Sequence, residues 1–441
     1  MRSKLRIFAL CSLFGLLFGC EKNGTDLDKI ILSEDAHLLS FYLASDSISY
    51  LSDTKFSIDQ RNGKIFNKDS LVYQTSFKDK VKIIFTKGNN SSTVTWADQD
   101  TVKIASGDTI KITDHLMGLK VLAPDGLRTK HYELRINIHQ ADPDSISYNR
   151  IANNVDALNA DLTKTILFRN NYYLFSKKGS ELSLYQSEDL VNWEAVATEN
   201  LPSGLVIKQI VAGSNCVFAH TETGELYMSD DLVGWDLIES EKVVAILGLL
   251  YKSSIQTQSL SLIVEKENQS LFACFQNQST WKYGKEVPTE FPVNNFSSVS
   301  YARMNTQRIT VTGGEDINKE VLASTWSTED GYYWARMNSK SQSLPKIKNH
   351  NVFIYNGRIF AVNGENDNGV INTAVYSSVD GGITWETMAN KYLFPSEYNR
   401  RYNASVIVDE DAVFFYVIGG EGVSKCTDIW RGVRNGLMFD N

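Results

Sequence analysis

The sequence predicts an all-β chain, a β-sandwich module followed by a six-bladed β-propeller that a strand from its N-terminal side closes. Three observations predict it. Apolar and polar residues alternate at a period of two, and no helical period of any length competes. Tryptophans recur in the last three hundred residues at intervals of 42, 46, 53 and 51, a spacing that suits four-stranded blades. Six short β-rich runs share that rhythm: Tyr172–Phe175, Cys216–Ala219, Leu260–Ile263, Arg308–Val311, Arg358–Ala361 and Phe414–Val417. Each reads as the second strand of a blade.

The chain opens with Arg2, Lys4 and Arg6, then an apolar run from Ile7 to Gly19. As a helix that run spans about 20 Å, short of the roughly 30 Å hydrocarbon core, so a signal peptide is expected over residues 1–20 rather than a membrane span. It ends Leu17-Phe18-Gly19-Cys20, which resembles the bacterial lipobox. That resemblance implies lipidation of Cys20 and a membrane partner reached through the lipid anchor. Glu21, in place of the aspartate that often marks inner-membrane retention, implies an outer-membrane lipoprotein on the cell surface or the periplasmic face. An ordinary signal peptide with a chance cysteine stays open.

Residues 21–30 read as a polar tether. The chain is 42% hydrophobic with a net charge of −8, which fits a soluble, globular mature protein, expected as a monomer. No basic face or Arg/Lys run points to nucleic acid. Cys216, Cys274 and Cys426 sit in apolar runs and are too few for a disulfide framework, so buried thiols are expected.

From 31 to 140 the chain reads as strands separated by Gly, Asn and Asp turns. Lys82–Phe85, Val102–Ile104 and Ile110–Ile112 are β-rich. In the last strand Tyr132, Leu134, Ile136 and Ile138 alternate with Glu133, Arg135 and Asn137, as a half-buried antiparallel strand requires. The segment from Leu119 through Ala123-Pro124-Asp125-Gly126 to the Tyr132-led strand resembles the closing hairpin of bacterial cadherin-like and immunoglobulin-like domains. That likeness implies a spacer or adhesion module.

The propeller, residues 141–441, carries a repeated turn. Ser378-Val379-Asp380-Gly381-Gly382-Ile383-Thr384-Trp385 resembles the Asp-box of sialidases and related propellers at every fixed position. Ser327-Thr328-Glu329-Asp330-Gly331 up to Trp334 reads as a degenerate copy, with shorter cousins at Ser187–Trp193 and Ser229–Trp235 and a tryptophan without the box at Trp281. The Gly supplies backbone angles that other residues avoid, and the Asp accepts hydrogen bonds from turn amides, so the box is structural. In sialidases this turn lies away from the active site. Asp144–Tyr148 repeats the Asp-to-aromatic spacing of Asp189–Trp193, and residues 144–152 are expected to complete blade six. Seven blades remain an alternative.

On the face opposite the boxes, Gly313-Gly314-Glu315, Asn363-Gly364-Glu365 and Gly419-Gly420-Glu421 share a signature that resembles the Gly-Gly of kelch repeats. The three Glu either ring a pocket or bond neighbouring backbone amides. The nearby loop Tyr398-Asn399-Arg400-Arg401-Tyr402 mixes aromatic planes with bidentate donors suited to sugars or carboxylates. Glu315, Glu365, Glu421, Tyr398, Arg400, Arg401 and Tyr402 are therefore the candidate ligand-binding residues.

No catalytic set stands out. Arg150 only loosely resembles the Arg-Ile-Pro stretch of sialidases. The propeller holds just His220 and His350, while His37, His115, His131 and His139 show no ligand spacing, so neither metal nor cofactor is expected. Glu365-Asn366-Asp367-Asn368-Gly369 matches no calcium motif. The whole chain resembles surface lipoproteins of Bacteroidota that pair a cadherin-like module with an Asp-box or kelch-like propeller. That likeness implies a non-catalytic envelope protein binding a glycan or other ligand. A protein-interaction scaffold with an envelope-protein partner and a sialidase-type hydrolase stay open as rivals, because fold alone does not choose among them.

Overall fold

Alternation along Thr129–Arg135 buries Tyr132 and Leu134 and exposes Glu133 and Arg135. This strand organises the first of two units, which divide at Pro143 and Asp144. The computed structural model describes residues 31–436 apart from 98–100, 113–115, 203, 253–256, 304–305, 339–341 and 410. The signal-peptide, tether and Cys20 expectations, and His115, lie outside the described residues. No α-helix occurs among the described residues.

The first unit stacks a three-stranded sheet on a six-stranded one around a single core that includes Leu38, Phe41, Ile83, Val94, Trp96 and Tyr132. Thr129–Arg135 pairs antiparallel with Leu116–Leu122, and the hairpin turn is closed by Asp125, whose Oδ1 accepts the amides of Leu127 and Arg128. Its other neighbour, Lys64–Asn67, runs parallel, with Ile65 opposite Leu134. The sheet is thus mixed, a feature that alternation cannot report because it depends only on which face is buried. The expected strand is also shorter. After Arg135 the chain leaves the ladder, and Asn67 receives it through Asn137 N–H donating to Asn67 Oδ1 at 2.7 Å.

The second unit is a ring of six four-stranded antiparallel sheets. The first five follow chain order: blade 1 begins at Leu162–Phe168, blade 2 at Ile207–Ala212, blade 3 at Lys242–Lys252, blade 4 at Ser297–Arg303 and blade 5 at Lys348–Tyr355. Blade 6 takes Ser405–Val408, Phe414–Ile418 and Ile429–Arg434 from the C-terminal end, and its outer strand, Ile146–Ala152, from the other. Tyr148 stands opposite Gly432, and Arg434 reaches Asp144 at 2.6 Å. The closing strand expected from Asp144–Tyr148 is therefore present, and it covers the edge that Ile429–Arg434 would otherwise expose. Inner strands of neighbouring blades touch all the way round.

Between third and fourth strands, an Asp turn recurs on one face of the ring, the lower face. In blade 5, Asp380 Oδ1 accepts the amides of Ile383 and Thr384, its Oδ2 accepts the Thr384 hydroxyl at 2.6 Å, and Ser378 Oγ donates to it at 2.8 Å. Asp189 and Asp231 repeat this with Ser187 and Ser229. In blade 4 the hydroxyl is that of Thr328, not Ser327 as the sequence alignment suggests. The hydroxyl must stand two residues before the Asp, and Thr328-Glu329-Asp330 keeps that spacing. The residue after the Asp is left-handed, with φ of 66° at Leu190, 68° at Leu232, 88° at Gly331 and 85° at Gly381. For leucine that conformation costs about 1–2 kcal/mol, offset by the roughly 1.5–3 kcal/mol gained on burying the side chain. Both leucines are buried, at 1% and 0% exposure. The tryptophan that follows leans on the preceding blade: Trp235 meets Phe175 edge-on and Trp334 stacks on Phe272. Blade 3 has no Asp turn. A tight hairpin with Asn277 and Gln278 at φ 51° and 58° takes its place and seats Trp281 on Phe275.

Candidate functional site

Inner strands begin on the upper face, where their first residues pair with the end of the second strand. Ser297 stands opposite Thr312, Lys348 opposite Glu365 and Ser405 opposite Ile418. This end of the ring encloses a cavity of about 190 Å³ walled by Lys164, Lys208, Gln209, His350 and the asparagines 294, 295, 349, 351 and 403. A register shift between Ile207 and Gln209 leaves Lys208 at a bulge, the irregularity by which a strand re-aims a side chain. Its ammonium donates to Asn294 Oδ1 at 2.7 Å and to the Val244 carbonyl at 3.4 Å. The Lys164 ammonium makes no hydrogen bond or ion pair among the described residues. Desolvation draws both ammonium groups below the ordinary lysine range, against the opposing pull of Glu421 on Lys164 and Glu222 on Lys208.

The Gly-Gly-Glu signature has a backbone cause. Gly313 and Gly314 have φ of 57° and 81°, Asn363 and Gly364 of 61° and 85°, and Gly419 and Gly420 of 59° and 107°. Two left-handed residues in succession turn the chain sharply. A Cβ at Gly314 would also stand 2.6 Å from the Asn294 carbonyl oxygen, and one at Gly364 would stand 2.7 Å from that of Lys348. The carboxylates that follow are held. Glu315 accepts from Asn295 Nδ2 and Lys348 Nζ, each at 2.8 Å, and raises the Lys348 pKa. Glu365 accepts from Asn349 Nδ2 at 3.1 Å, and Glu421 faces Lys425 Nζ at 3.6 Å. The loop from Glu365 to Gly369 is closed by Asn366 Oδ1, which accepts the amides of Asn368 and Val370.

Asn295, Asn349 and Asn403 form a ladder that the sequence reading missed. All three are left-handed, at φ 53°, 54° and 53°, and Asn349 N–H donates to the Asn295 carbonyl while Asn403 N–H donates to that of Asn349. They lie 54 residues apart, each two residues before a Ser or Asn that crosses to a neighbouring blade. Val352 N–H donates to Ser297 Oγ, Asn351 Nδ2 to the Ala404 carbonyl, and Thr165 N–H to Ser405 Oγ. An Asn-x-Ser/Asn repeat at constant spacing was the available signal.

Two expected ligand residues are core groups. Arg401 is wholly buried, donating to Asp428 Oδ1 at 2.7 Å, the Gly419 carbonyl at 2.9 Å and the Asn399 carbonyl at 2.8 Å, with its plane over the Tyr398 ring. Burial pushes the Asp428 carboxyl up, but Arg401 and the Trp430 N–H hold it below its ordinary value. Tyr398 is 6% exposed, stacks on Phe394 and donates to Asn363 Oδ1. Neither side chain is open to a ligand. The counter-charge comes from Asp428, far along the chain, so the loop's own composition gave no hint of it. Arg400 is exposed, and Tyr402 is half-buried with its backbone paired to Glu421.

Both propeller histidines are neutral at neutral pH, burial pushing His220 down to about 4 and His350 to about 3. His220 Nε2 lies 2.9 Å from the Val243 carbonyl. His350 Nε2 lies 2.8 Å from Thr312 Oγ1, while its buried Nδ1 has no partner among the described residues. No group of three or more His, Cys, Asp or Glu suited to a metal ion occurs among the described residues.

Six four-stranded blades, a closing strand from the N-terminal side and a polar hollow at one end define a β-propeller protein, here preceded by a β-sandwich. The chain belongs to the DUF6242 family: residues 142–441 match the DUF6242 beta propeller domain, and residues 25–136 match the N-terminal domain of the same family, a domain of unknown function. Among solved structures it is similar to that of YjhT, at 11% identity over 72% of this chain and 91% of that one, with a TM-score of 0.36. It is also similar to YCF48 bound to D1 peptide, at 14% identity over 67% of this chain and 98% of that one, with a TM-score of 0.37. No curated protein matches the chain.

Proposed function

We propose that this chain is a non-catalytic ligand-binding protein of the bacterial cell envelope, anchored at the outer membrane through Cys20, with a glycan as the ligand of its propeller. The polar cavity at the centre of the upper face is the observation that carries the reading. Asparagine amides and lysine ammonium groups, carried on the inner strands or just before them, are few and converge on one hollow, as recognition of hydroxyl-rich ligands requires. Glu315, Glu365 and Glu421 stand in the loops beside it, with Arg400 and Tyr402 next to Glu421 in the chain or its backbone pairing. Hydrogen bonding in the Ser–Asp turns supports their reading as Asp-boxes, and the Asp125 hairpin supports a cadherin-like spacer. Anchoring rests on the basic and apolar run ending in Cys20.

A glycan array probed with the purified chain tests the ligand class, and Cys20→Ser, which should release the protein from membranes, tests the anchor. A second reading, a protein-interaction scaffold, has its own observation. Ile317, Val370 and Val423 stand exposed at 60%, 61% and 105%, one in each of the three loops that follow the Gly-Gly-Glu turns. An array with no hits and tight capture of an envelope protein, lost when the three become Ser, would favour it. The cavity wall supplies two lysines and no arginine, which is not the guanidinium triad of a sialidase.

A further inference from the structure

From the wall of the central cavity we infer that it takes a compact anion, a carboxylate or phosphate group, held between Lys164 and Lys208. The inference deepens the reading of the upper face as a binding surface and rests on it. Among the described residues the cavity wall contains both lysines and no Asp or Glu, in a chain whose net charge is −8. A cationic hollow in an acidic protein runs against the average field, and a narrow cleft of one sign concentrates that field on an entering ion.

The donors of the two lysines are not used up. An ammonium has three N–H groups. Lys208 directs two of them at Asn294 and Val244, the second at a long 3.4 Å, and Lys164 directs none at a protein acceptor among the described residues. The two lysines sit on adjacent inner strands, Leu162–Phe168 and Ile207–Ala212, so the cavity receives both. His350, 4% exposed, is also in the wall and keeps Nδ1 buried without a partner. If the Thr312 hydroxyl donates to Nε2, Nδ1 carries the proton and becomes a further donor for an anion.

Burial disfavours the charged form of both lysines, and neither Glu421 nor Glu222 lies in the wall to neutralise them there. A partly desolvated charge is costly when its counter-charge stands at a distance, and an anion in the cavity would supply a closer partner. The volume, about 190 Å³, is below the few hundred Å³ of a pocket for drug-sized ligands, so the buried portion of the ligand is a single head group. Asn295 and Asn349 each give one amide N–H to Glu315 and Glu365, and among the described residues of the wall the lysines are the charged donors.

Titration calorimetry of the full chain with inorganic phosphate and with malonate, in buffer free of other multivalent anions, tests this. At least one anion should bind with one-to-one stoichiometry, phosphate alone marking a phosphoryl ligand and malonate alone a carboxylate. Lys164→Met and Lys208→Met should each weaken binding tenfold or more, and Lys120→Met in the first unit should bind like wild type. Without anion, Lys164→Met should melt at or above the wild-type temperature, because the ammonium it removes is desolvated and bonds to no protein acceptor among the described residues. If either cavity variant fails to fold, Lys164→Gln and Lys208→Gln replace them in the same titration. Absence of binding by either anion, or binding unchanged in the folded lysine variants, overturns the inference. A positive glycan array alongside that result would leave the wider binding reading standing, whereas failure of both would remove it too.

Discussion

The lower and upper faces of the propeller draw on similar polar side chains, and their bonding partners differ in kind. On the lower face each turn carboxylate bonds within its own turn: Asp189 takes the amides of Val191 and Asn192, and Asp231 those of Val233 and Gly234, all within three residues. On the upper face carboxylate partners lie farther along the chain, within the blade as Asn349 does for Glu365, or in another blade as Lys348 of blade 5 does for Glu315 of blade 4. Some groups there have no partner among the described residues, the Lys164 ammonium and His350 Nδ1 among them. The turn carboxylates of the lower face therefore hold single turns, while polar contacts of the upper face span longer stretches of chain and leave spare donors at the centre of the ring.

The largest expected effect tests whether the upper face has its own closed pairs. Arg401→Met leaves Asp428 buried and unpaired, and removing one partner of such a pair costs about 3–5 kcal/mol. Chemical denaturation should show that loss with anion binding retained by the folded fraction. A loss under about 1 kcal/mol would show that the pair is not structural and return Arg401 to the ligand candidates. Next comes the lower face. Asp380→Ala removes a carboxylate that accepts several hydrogen bonds, and a hydrogen bond to a charged group contributes about 1.5–3 kcal/mol net. Stability should fall by about 1–3 kcal/mol with no change in ligand affinity, and a change in affinity would break the division between the faces.

Smaller still is Lys164→Met, for which thermal melting should show a shift upward or none. A clear fall would mean that its ammonium stabilises the ring. The smallest effect is acid sensitivity of the turns. Amides of Asn192 and Val191 hold the Asp189 carboxyl down to about 2, below its unfolded value. A depressed carboxylate contributes stability above its unfolded pKa and loses it as pH falls through the folded one. The melting temperature should therefore decline between about pH 4 and pH 2, less steeply in Asp189→Asn. Because the turn is exposed, the difference should be slight.

Blade number, second strands and the closing strand were legible in the sequence because they rest on local signals: alternation, turn residues and the Asp-to-aromatic spacing. What escaped depends on partners distant in sequence. The parallel neighbour of Thr129–Arg135 is chosen by topology. Arg401 looked like a surface donor among Tyr398, Arg400 and Tyr402 until Asp428 entered as its partner. Lys208 sits in an ordinary apolar strand, Ile207–Ala212, and only the bulge beside it brings it to the cavity. The three Glu follow the second strands as read, but whether they line a pocket or hold loops together depends on Asn295, Asn349 and Lys348, and the spacing that the two asparagines share with Asn403 was the overlooked pattern.

Ring closure also sets an order of events. Ile146–Ala152 is among the first propeller strands to leave the ribosome, yet its hydrogen-bonded neighbour among the described strands, Ile429–Arg434, is the last of them. Ser147 and Asn435, bonded in the folded ring, are 288 residues apart. Bringing such ends together costs roughly 5 kcal/mol of chain entropy if the intervening segment is unstructured, and much less once blades 1 to 5 have stacked and carried them close. Folding should therefore run through an open five-blade intermediate with one waiting strand, slow to shut and exposed to pairing with another molecule until it does. A circular permutant that joins Arg434 to Asp144 by a short linker and opens the chain between blades 2 and 3 would turn that closure into a hairpin. It should refold faster than the natural order while its melting temperature changes little.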